Sequence, residues 1–274
     1  MSSVCQRFIF ENHNISGVLV QVMPALNDVL RCHHYPSCIE TELSSTLLSS
    51  LLIHSRFKDR GELILQLHDG GSVSLLVAKC DQDLSIRGLA HYDMTQDEKQ
   101  LSSDFAQGRL SVTYFKPNSD RPVQSVIDLS SSSIESALER YFLQSEQIPT
   151  CLKLDPQRGV GVLLQRMPSE QEVDNEKWHQ LCEQLKSLEA ELHDLDTASL
   201  LRVSFPQDDI RLFDEEPVRF KCPCSQEKML NAVASLPQQE LVAMIEEDGG
   251  VDMTCEYCSH QYALTAKELR SLLK

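Results

Sequence analysis

Two closely spaced pairs of cysteines near the C-terminal end of the sequence carry its clearest chemistry. One residue separates Cys222 from Cys224, and two residues separate Cys255 from Cys258. Four thiolates in two such pairs suit one zinc ion, which takes four sulfur ligands in a tetrahedral structural site. The same sulfurs can instead form disulfides, each within its own pair. The spacing therefore predicts one zinc ion per chain, at a site that can also act as a redox switch.

An inert zinc ribbon is the main alternative to a redox-responsive site. Bound zinc lowers the pKa of its thiol ligands, and the resulting thiolates are the form that oxidants attack. Oxidation to a sulfenic acid, followed by condensation with a neighbouring thiol, gives a disulfide and removes two ligands. Structural zinc contributes about 10–16 kcal/mol in small zinc-binding peptides. A small module should therefore unfold when its metal leaves.

The composition argues against nucleic acid as a partner and against a membrane or secreted location. The 274 residues carry a formal charge of −16, which disfavours nucleic acid as a partner because phosphate binding needs a basic surface. No run approaches the roughly 20 apolar residues of a membrane helix. The first residues lack a secretory signal pattern. The ten cysteines then lie in a chain expected to be cytoplasmic, where closely spaced cysteines usually bind metal or do redox chemistry.

Residues 1–168 read as one α+β domain. Short strand-like runs separated by glycine turns alternate irregularly with amphipathic helices, which predicts a mainly antiparallel sheet. One helix is predicted over residues 42–57 from apolar residues at helical spacing. Another is predicted to begin at a capping box formed by Ser132 and Glu135.

The pattern changes after Pro168, in a segment of residues 169–217. A second capping box, Ser169 with Glu172, precedes apolar residues at heptad spacing, which predicts one long helix. The stripe consists of Trp178, Leu181, Leu185, Leu188, Leu192 and Leu195. The rest of the segment is mostly acidic or amide residues. A segment with an apolar stripe and no core of its own must pack on another part of the molecule.

Residues 218–274 have the size of a small zinc-binding module, and such modules often need a metal to stay folded. Helices are predicted over residues 225–236 and 238–246, with a short strand leading to Cys255. Thr265 and Glu268 form a capping box for a last helix.

The sequence closely resembles the heat shock protein 33 family, the redox-regulated holdase chaperones of bacteria, over essentially its whole length. The motifs that carry the resemblance are FKCPCS (220–225), EDGGVDMTCEYC (247–258), GRLSVT (108–113), IRG (86–88) and YFLQSEQIPT (141–150). The resemblance implies an N-terminal α+β domain with a mixed or antiparallel sheet, a helical metastable linker and a C-terminal zinc redox-switch domain.

The resemblance also assigns roles to the cysteines. It implies zinc ligands at Cys222, Cys224, Cys255 and Cys258, and disulfides between Cys222 and Cys224 and between Cys255 and Cys258 after oxidation. The reduced, zinc-bound form would be inactive. The oxidised form would be an ATP-independent holdase that dimerises, binds unfolding proteins and prevents their aggregation during oxidative stress. On this basis the protein is not an enzyme.

Two rival functions stay open from the sequence. A zinc-ribbon adaptor for a protein or nucleic acid would use the same cysteines, although no basic patch accompanies them. A disulfide oxidoreductase would use Cys255 and Cys258, although they lie outside the strand–CxxC–helix context of such enzymes. No phosphate-binding loop supports ATP use.

Three other clusters invite a chemical role less strongly. Cys32, His33, His34 and Cys38 fit no trusted zinc spacing. His179 and Cys182 are better interpreted as packing residues of the linker helix, and His260 as a group beside the zinc ligands or at the surface.

Overall fold

The computed structural model describes residues 2–119, 121–130, 132–168, 174–188, 195–246 and 249–273. The chain forms two compact units, Met1–Phe220 and Lys221–Lys274. In the described part of the chain, no helix is both long and apolar enough to cross a membrane. The predicted α+β class is confirmed.

Eleven strands and six helices make up the described part of the first unit. The strands are β1 (Val4–Phe10), β2 (Ile15–Gln21), β3 (Glu62–His68), β4 (Val73–Cys80), β5 (Ser85–Tyr92), β6 (Arg109–Phe115), β7 (Val123–Asp128), β8 (Thr150–Asp155), β9 (Val160–Arg166), β10 (Ile210–Pro217) and β11 (Arg219–Phe220). The helices are α1 (Met23–Leu30), α2 (Ser37–His54), α3 (Glu98–Gln107), α4 (Ile134–Ser145), α5 (Asn175–Lys186) and α6 (Thr197–Ser204).

The strands form two sheets. The five-stranded sheet has the order β10-β1-β2-β9-β8, and the six-stranded sheet the order β11-β5-β4-β3-β6-β7. Neighbouring strands are antiparallel, except that β11 runs parallel to β5. The mainly antiparallel arrangement agrees with the sequence prediction.

Helix α2 packs between the two sheets and is buried on most of its surface. Its small polar residues are compatible with burial because their hydroxyls donate to carbonyls of the same helix, as Ser49 does to Ser45 O at 2.8 Å. The helix begins at Ser37, five residues before the predicted start, and ends at His54 rather than residue 57. Pro36 is the N-cap residue and has an extended backbone conformation. The helix therefore starts directly after Pro36, a boundary that the spacing of apolar residues does not show.

The five-stranded sheet is buried on both faces. In β2 and β9 the first six residues are all buried, although an antiparallel sheet often leaves one face in water. The inner face packs on α2, and the outer face packs on α5 and α6. We call the apolar residues of that outer face the covered face: Phe8, Phe10, Ile15, Leu19, Cys151, Val162 and Leu164.

Helices α5 and α6, which we call the cover, belong to a segment that starts and ends in the same sheet. The segment leaves the five-stranded sheet after β9 and rejoins it as β10, which pairs with β1. Trp178, Leu181 and Leu185 of α5 are buried against the covered face. The described residues of the linker stripe thus pack on the five-stranded sheet, within the first unit.

Close approach explains two glycines of the first unit. Gly17 on β2 lies opposite Phe8 on β1, and a Cβ at Gly17 would fall 2.1 Å from the Phe8 ring. Gly88, in the IRG motif on β5, lies where a Cβ would be 2.8 Å from Val77 O and 3.0 Å from a methyl of Leu43 on α2. A side chain at Gly17 would displace the Phe8 ring, and one at Gly88 would push β5 away from β4 and α2.

The prediction of one long helix after Pro168 was wrong. The long heptad helix is broken, because α5 ends at Lys186 and Leu195 lies outside any helix. The capping box at Ser169 and Glu172 lies outside the described residues. Within them, Asp174 caps α5 by accepting from the backbone N–H of residues 176 and 177.

Helix α4 is capped by Ser133, which accepts from Ser136 N, and not by Ser132. Strand β10 and helix α1 were missed altogether. Strand β10 is acidic and mostly exposed because it is an edge strand, so its sequence has the character of a linker.

The second unit is small. It comprises α7 (Gln226–Val233), α8 (Gln238–Glu246), the antiparallel hairpin of β12 (Gly250–Thr254) and β13 (Gln261–Thr265), and α9 (Ala266–Arg270). Its buried core consists of Val233, Leu241, Ile245, Leu264 and Leu269. The capping box of Thr265 and Glu268 is confirmed at the start of α9. A core of five buried residues is marginal for independent stability.

Candidate metal centre

The first cysteine pair lies on the irregular segment that leads into α7. The backbone N–H of Cys224 acts to lower the pKa of Cys222, two positions earlier. Ser225 caps α7 by accepting from Lys228 N at 3.3 Å, and Lys228 Nζ donates to Pro223 O at 2.6 Å. These contacts fix the two sulfurs at the start of a helix.

The second pair lies in the connection between β12 and β13. Cys255 N donates to His260 O at 2.9 Å, and Ser259 N donates to Cys255 O at 2.8 Å. Ser259 has a positive φ of 55°, which reverses the chain direction after Cys258. The hairpin therefore holds Cys255 and Cys258 at its tip, as two ligands on one tight turn.

The structure brings the four cysteines together. Their sulfur atoms all lie within 4.8 Å of one another. Sulfurs of different pairs lie 3.6 Å apart between Cys222 and Cys255 and 3.4 Å apart between Cys224 and Cys258. A tetrahedron with metal–sulfur bonds of about 2.3 Å has sulfur–sulfur edges of about 3.8 Å. The donor set therefore fits a tetrahedral ion that prefers thiolates, as zinc does.

The surroundings of the cysteines shift their thiol pKa values in different directions. Burial raises the pKa of Cys222, and it raises the pKa of Cys258 to about 11. Burial also acts to raise the pKa of Cys224, but hydrogen bonds from Tyr262 and from the neighbouring thiols outweigh it, so the pKa of Cys224 is lowered. Buried thiols need a cation nearby to ionise together, and a divalent metal supplies one.

Tyr262 is a residue of the site that sequence reasoning missed. Its hydroxyl donates to the Cys224 sulfur at 3.1 Å, and this bond raises the pKa of Tyr262 to about 12. The ring of His260 packs edge-on against Tyr262 at 4.7 Å. The alternating stretch after Cys258 could have predicted a strand there, but only the hairpin register, which places Tyr262 opposite Met253, shows that its hydroxyl can reach a sulfur.

Substituting Tyr262 with phenylalanine should weaken metal binding without unfolding the second unit. The change removes the hydroxyl hydrogen bond to Cys224 and keeps the ring. Loss of such a supporting hydrogen bond typically costs about 10- to 100-fold in metal affinity. Competition with a chromogenic chelator measures the loss. Tyr92→Phe, which removes a tyrosine hydroxyl in the first unit, is the control, and equal zinc affinity of the two variants would contradict the assigned role of Tyr262.

The cysteines and histidines of the first unit do not gather into a metal site in the described part of the chain. Within the described residues, the four cysteines are the one group of three or more His, Cys, Asp and Glu side chains close enough to hold a metal ion. Cys38 lies on α2, whereas Cys32 follows α1, and the ring of His33 packs beside Tyr35 at 5.1 Å. His179 is exposed on α5, and Cys182 packs against the covered face, as the sequence predicted for a packing residue.

Comparison with known proteins assigns the chain to a family. The family model described as Hsp33 protein matches residues 3–265. A 33 kDa chaperonin of Shewanella oneidensis is 34% identical, covering 98% of this chain and 95% of the relative, and one of Ectopseudomonas mendocina is 34% identical, covering 99% and 95%. A crystal structure of the 33 kDa chaperonin of Thermotoga maritima shares the fold, with a TM-score of 0.81 and 21% identity over 98% of this chain and 97% of the other.

The class that these relatives define is that of the chaperones and not of an enzyme, since the relatives are named as chaperonins. The chain belongs to the Hsp33 family. Membership of this family supports a chaperone function, in which the protein binds unfolded client proteins.

Proposed function

We propose that the protein is a redox-regulated, ATP-independent holdase of the cytoplasm. Reduced, it would hold one zinc ion through Cys222, Cys224, Cys255 and Cys258 and be inactive. Oxidised, it would dimerise, bind unfolding proteins and prevent their aggregation during oxidative stress. The observation that carries the proposal is the tetrahedral grouping of four sulfurs in a unit with a core of five buried residues.

The four cysteine sulfurs would themselves react with the oxidant and form the disulfides. A zinc ion, when bound, would hold the sulfurs as thiolates and join the two cysteine pairs. In each pair one thiolate attacks peroxide and becomes a sulfenic acid, with hydroxide as the leaving group. The second sulfur then attacks the sulfenic sulfur, forming a disulfide and releasing water. Each disulfide consumes one peroxide and two thiols.

We propose the disulfides Cys222–Cys224 and Cys255–Cys258. In the folded unit sulfurs of different pairs also lie within 3.6 Å of each other, so Cys222–Cys255 and Cys224–Cys258 are the competing connections. Local connections are favoured once the unit begins to open, because partners two or three positions apart stay near each other in a flexible chain. Partners 33 or 34 residues apart must close a long loop.

Loss of the four-sulfur cross-link should unfold the second unit. Zinc binding of about 10–16 kcal/mol exceeds what a core of this size can supply. The proposed switch domain comprises residues 218–274, and it follows a proposed metastable linker of residues 169–217 and an α+β domain of residues 1–168.

The covered face, which lies beneath the cover, has the apolar surface that such a chaperone needs. Polar contacts supplement its apolar packing: Lys177 Nζ lies 2.7 Å from Asp208 Oδ1, Lys186 Nζ lies 3.2 Å from Glu139 Oε2, and Arg166 donates to Asn175 at 2.9 Å. Release of α5 and α6 would expose the covered face. Its aromatic and aliphatic side chains could bind apolar segments of unfolding proteins, and the net charge of −16 would help to keep the complex soluble.

The test is oxidation of the reduced, zinc-loaded full-length chain with hydrogen peroxide under mild heat. Chromogenic chelation should register about one zinc released per chain, the number for a single tetrahedral site. Suppression of light scattering by a thermally unfolding enzyme should appear with zinc release and disappear after reduction in the presence of zinc. Zinc release without suppression, or equal suppression by the reduced protein, would refute the proposal. Turnover of an insulin-type disulfide substrate would favour the oxidoreductase instead.

A further inference from the structure

A second pair of cysteines meets where the cover packs on the covered face. Cys151 lies on β8 and is 2% exposed, and Cys182 lies on α5 and is half-buried in the same apolar cluster. The Cys151 sulfur is 4.0 Å from the backbone oxygen of Cys182, and each thiol shifts the pKa of the other. Both are unlinked thiols in this structure.

Charged side chains surround this pair asymmetrically. Lys186, one turn after Cys182 on α5, and Arg166 on β9 both act on the Cys182 sulfur. The hydrogen bond from Cys151, supported by these cations, lowers the pKa of Cys182. The same bond and burial raise the pKa of Cys151. Cys182 is therefore the more acidic and more accessible thiol, and Cys151 is its protected partner.

We propose that Cys151 and Cys182 form a second redox site, at which peroxide joins them in a disulfide that fastens α5 to β8. The Cys182 thiolate attacks peroxide and becomes a sulfenic acid, and hydroxide leaves. The Cys151 sulfur attacks the sulfenic sulfur, hydroxide leaves from it, and the Cys151 proton ends on water. Two thiols and one peroxide give one disulfide and two waters.

The effect of this disulfide is opposite to that proposed for the zinc centre. The two cysteines are 31 positions apart, and a cross-link closing a loop of that length disfavours chain opening by a factor on the order of 10² or more. Oxidation at the zinc centre would release the second unit, whereas oxidation here would hold α5 on the covered face. The site would limit how far the cover opens, a consequence that rests on the proposed function, although formation of the disulfide does not.

Peptide mapping tests the disulfide directly. The zinc-loaded, reduced full-length chain is treated with graded peroxide, blocked with N-ethylmaleimide, digested without reduction and analysed by mass spectrometry. A peptide joining Cys151 to Cys182 should accumulate. Cys182→Ser and Cys151→Ala should each abolish it and release zinc as the wild type does. Cys38→Ser, which changes a half-buried cysteine on α2, should leave the cross-link intact.

Hydrogen exchange tests the consequence. Amides of α5 in the peroxide-treated wild type should exchange on the order of 10²-fold more slowly than those of either treated variant. Two results would overturn the proposal: Cys182 fully alkylated after the zinc-site cysteines have been oxidised, or a cross-link that forms only in denaturant. Failure to suppress client aggregation would leave the peptide result unchanged, so the two proposals fail separately.

Discussion

Replacing Cys258 with serine should unfold residues 221–274 while the first unit stays folded. The substitution removes one of four thiolate donors, and its sulfur lies 3.4 Å from that of Cys224 at the centre of the cluster. Metal binding that contributes about 10–16 kcal/mol is then lost or strongly weakened, and five buried apolar residues remain to hold the unit.

Two measurements check this expectation. A chromogenic chelator should find the variant without zinc after purification, and hydrogen exchange of α8, β12 and β13 should approach the rate of an unfolded peptide. Amides of α2 should keep their protection. Cys32→Ser is the matched control, because Cys32 is also half-buried but lies after α1 in the first unit. Native protection of the β12–β13 hairpin in the metal-free variant would contradict the argument.

Replacing Trp178 with alanine should open the cover in the reduced protein. Trp178 is 7% exposed, packs against the covered face, and carries the guanidinium of Arg166 over its ring at 5.1 Å. Truncating a buried tryptophan typically costs about 3–5 kcal/mol, and a cation–π contact adds to this. The opening equilibrium of α5 should therefore rise about 10²- to 10³-fold.

Hydrogen exchange of α5 measures the opening, and binding of a hydrophobic dye measures exposure of the covered face. On the proposed function, the variant should also suppress client aggregation in reducing buffer with its zinc still bound. His179→Ala is the control, because His179 is the exposed neighbour of Trp178 on the same helix. If α5 opens and the reduced variant still fails to hold clients, the covered face is not the client surface.

The cysteine pairs were the part of the site that the sequence could specify, because ligands one or two residues apart define a turn locally. Tyr262 was hidden because its approach to Cys224 depends on the pairing of β12 with β13. The contact of Cys151 with Cys182 was hidden for a similar reason. It requires α5 to pack on β8, a tertiary contact between residues that are far apart in sequence.

The fold was predictable where local patterns and packing agreed. The hairpin of β3 and β4 follows from alternating runs around a glycine turn, and its register is the expected antiparallel one. The heptad stripe predicted a helix through Leu195, but Ser187 ends α5 because tertiary packing, and not periodicity, decides where a helix stops. Strand β10 escaped notice because its acidic side chains are tolerated only at a sheet edge.

The cover and a client protein would compete for the covered face, and the return of the chain to the five-stranded sheet favours the cover. Because the segment leaves at Arg166 and rejoins at Ile210, an opened cover stays attached at both ends. It then acts as an intramolecular ligand for the covered face, with an effective concentration that tethering can bring to about the millimolar range. On the proposed function, a client protein at much lower concentration would lose to this ligand by mass action while the closed cover is stable. Reclosure on reduction would then displace the client without the use of a nucleotide.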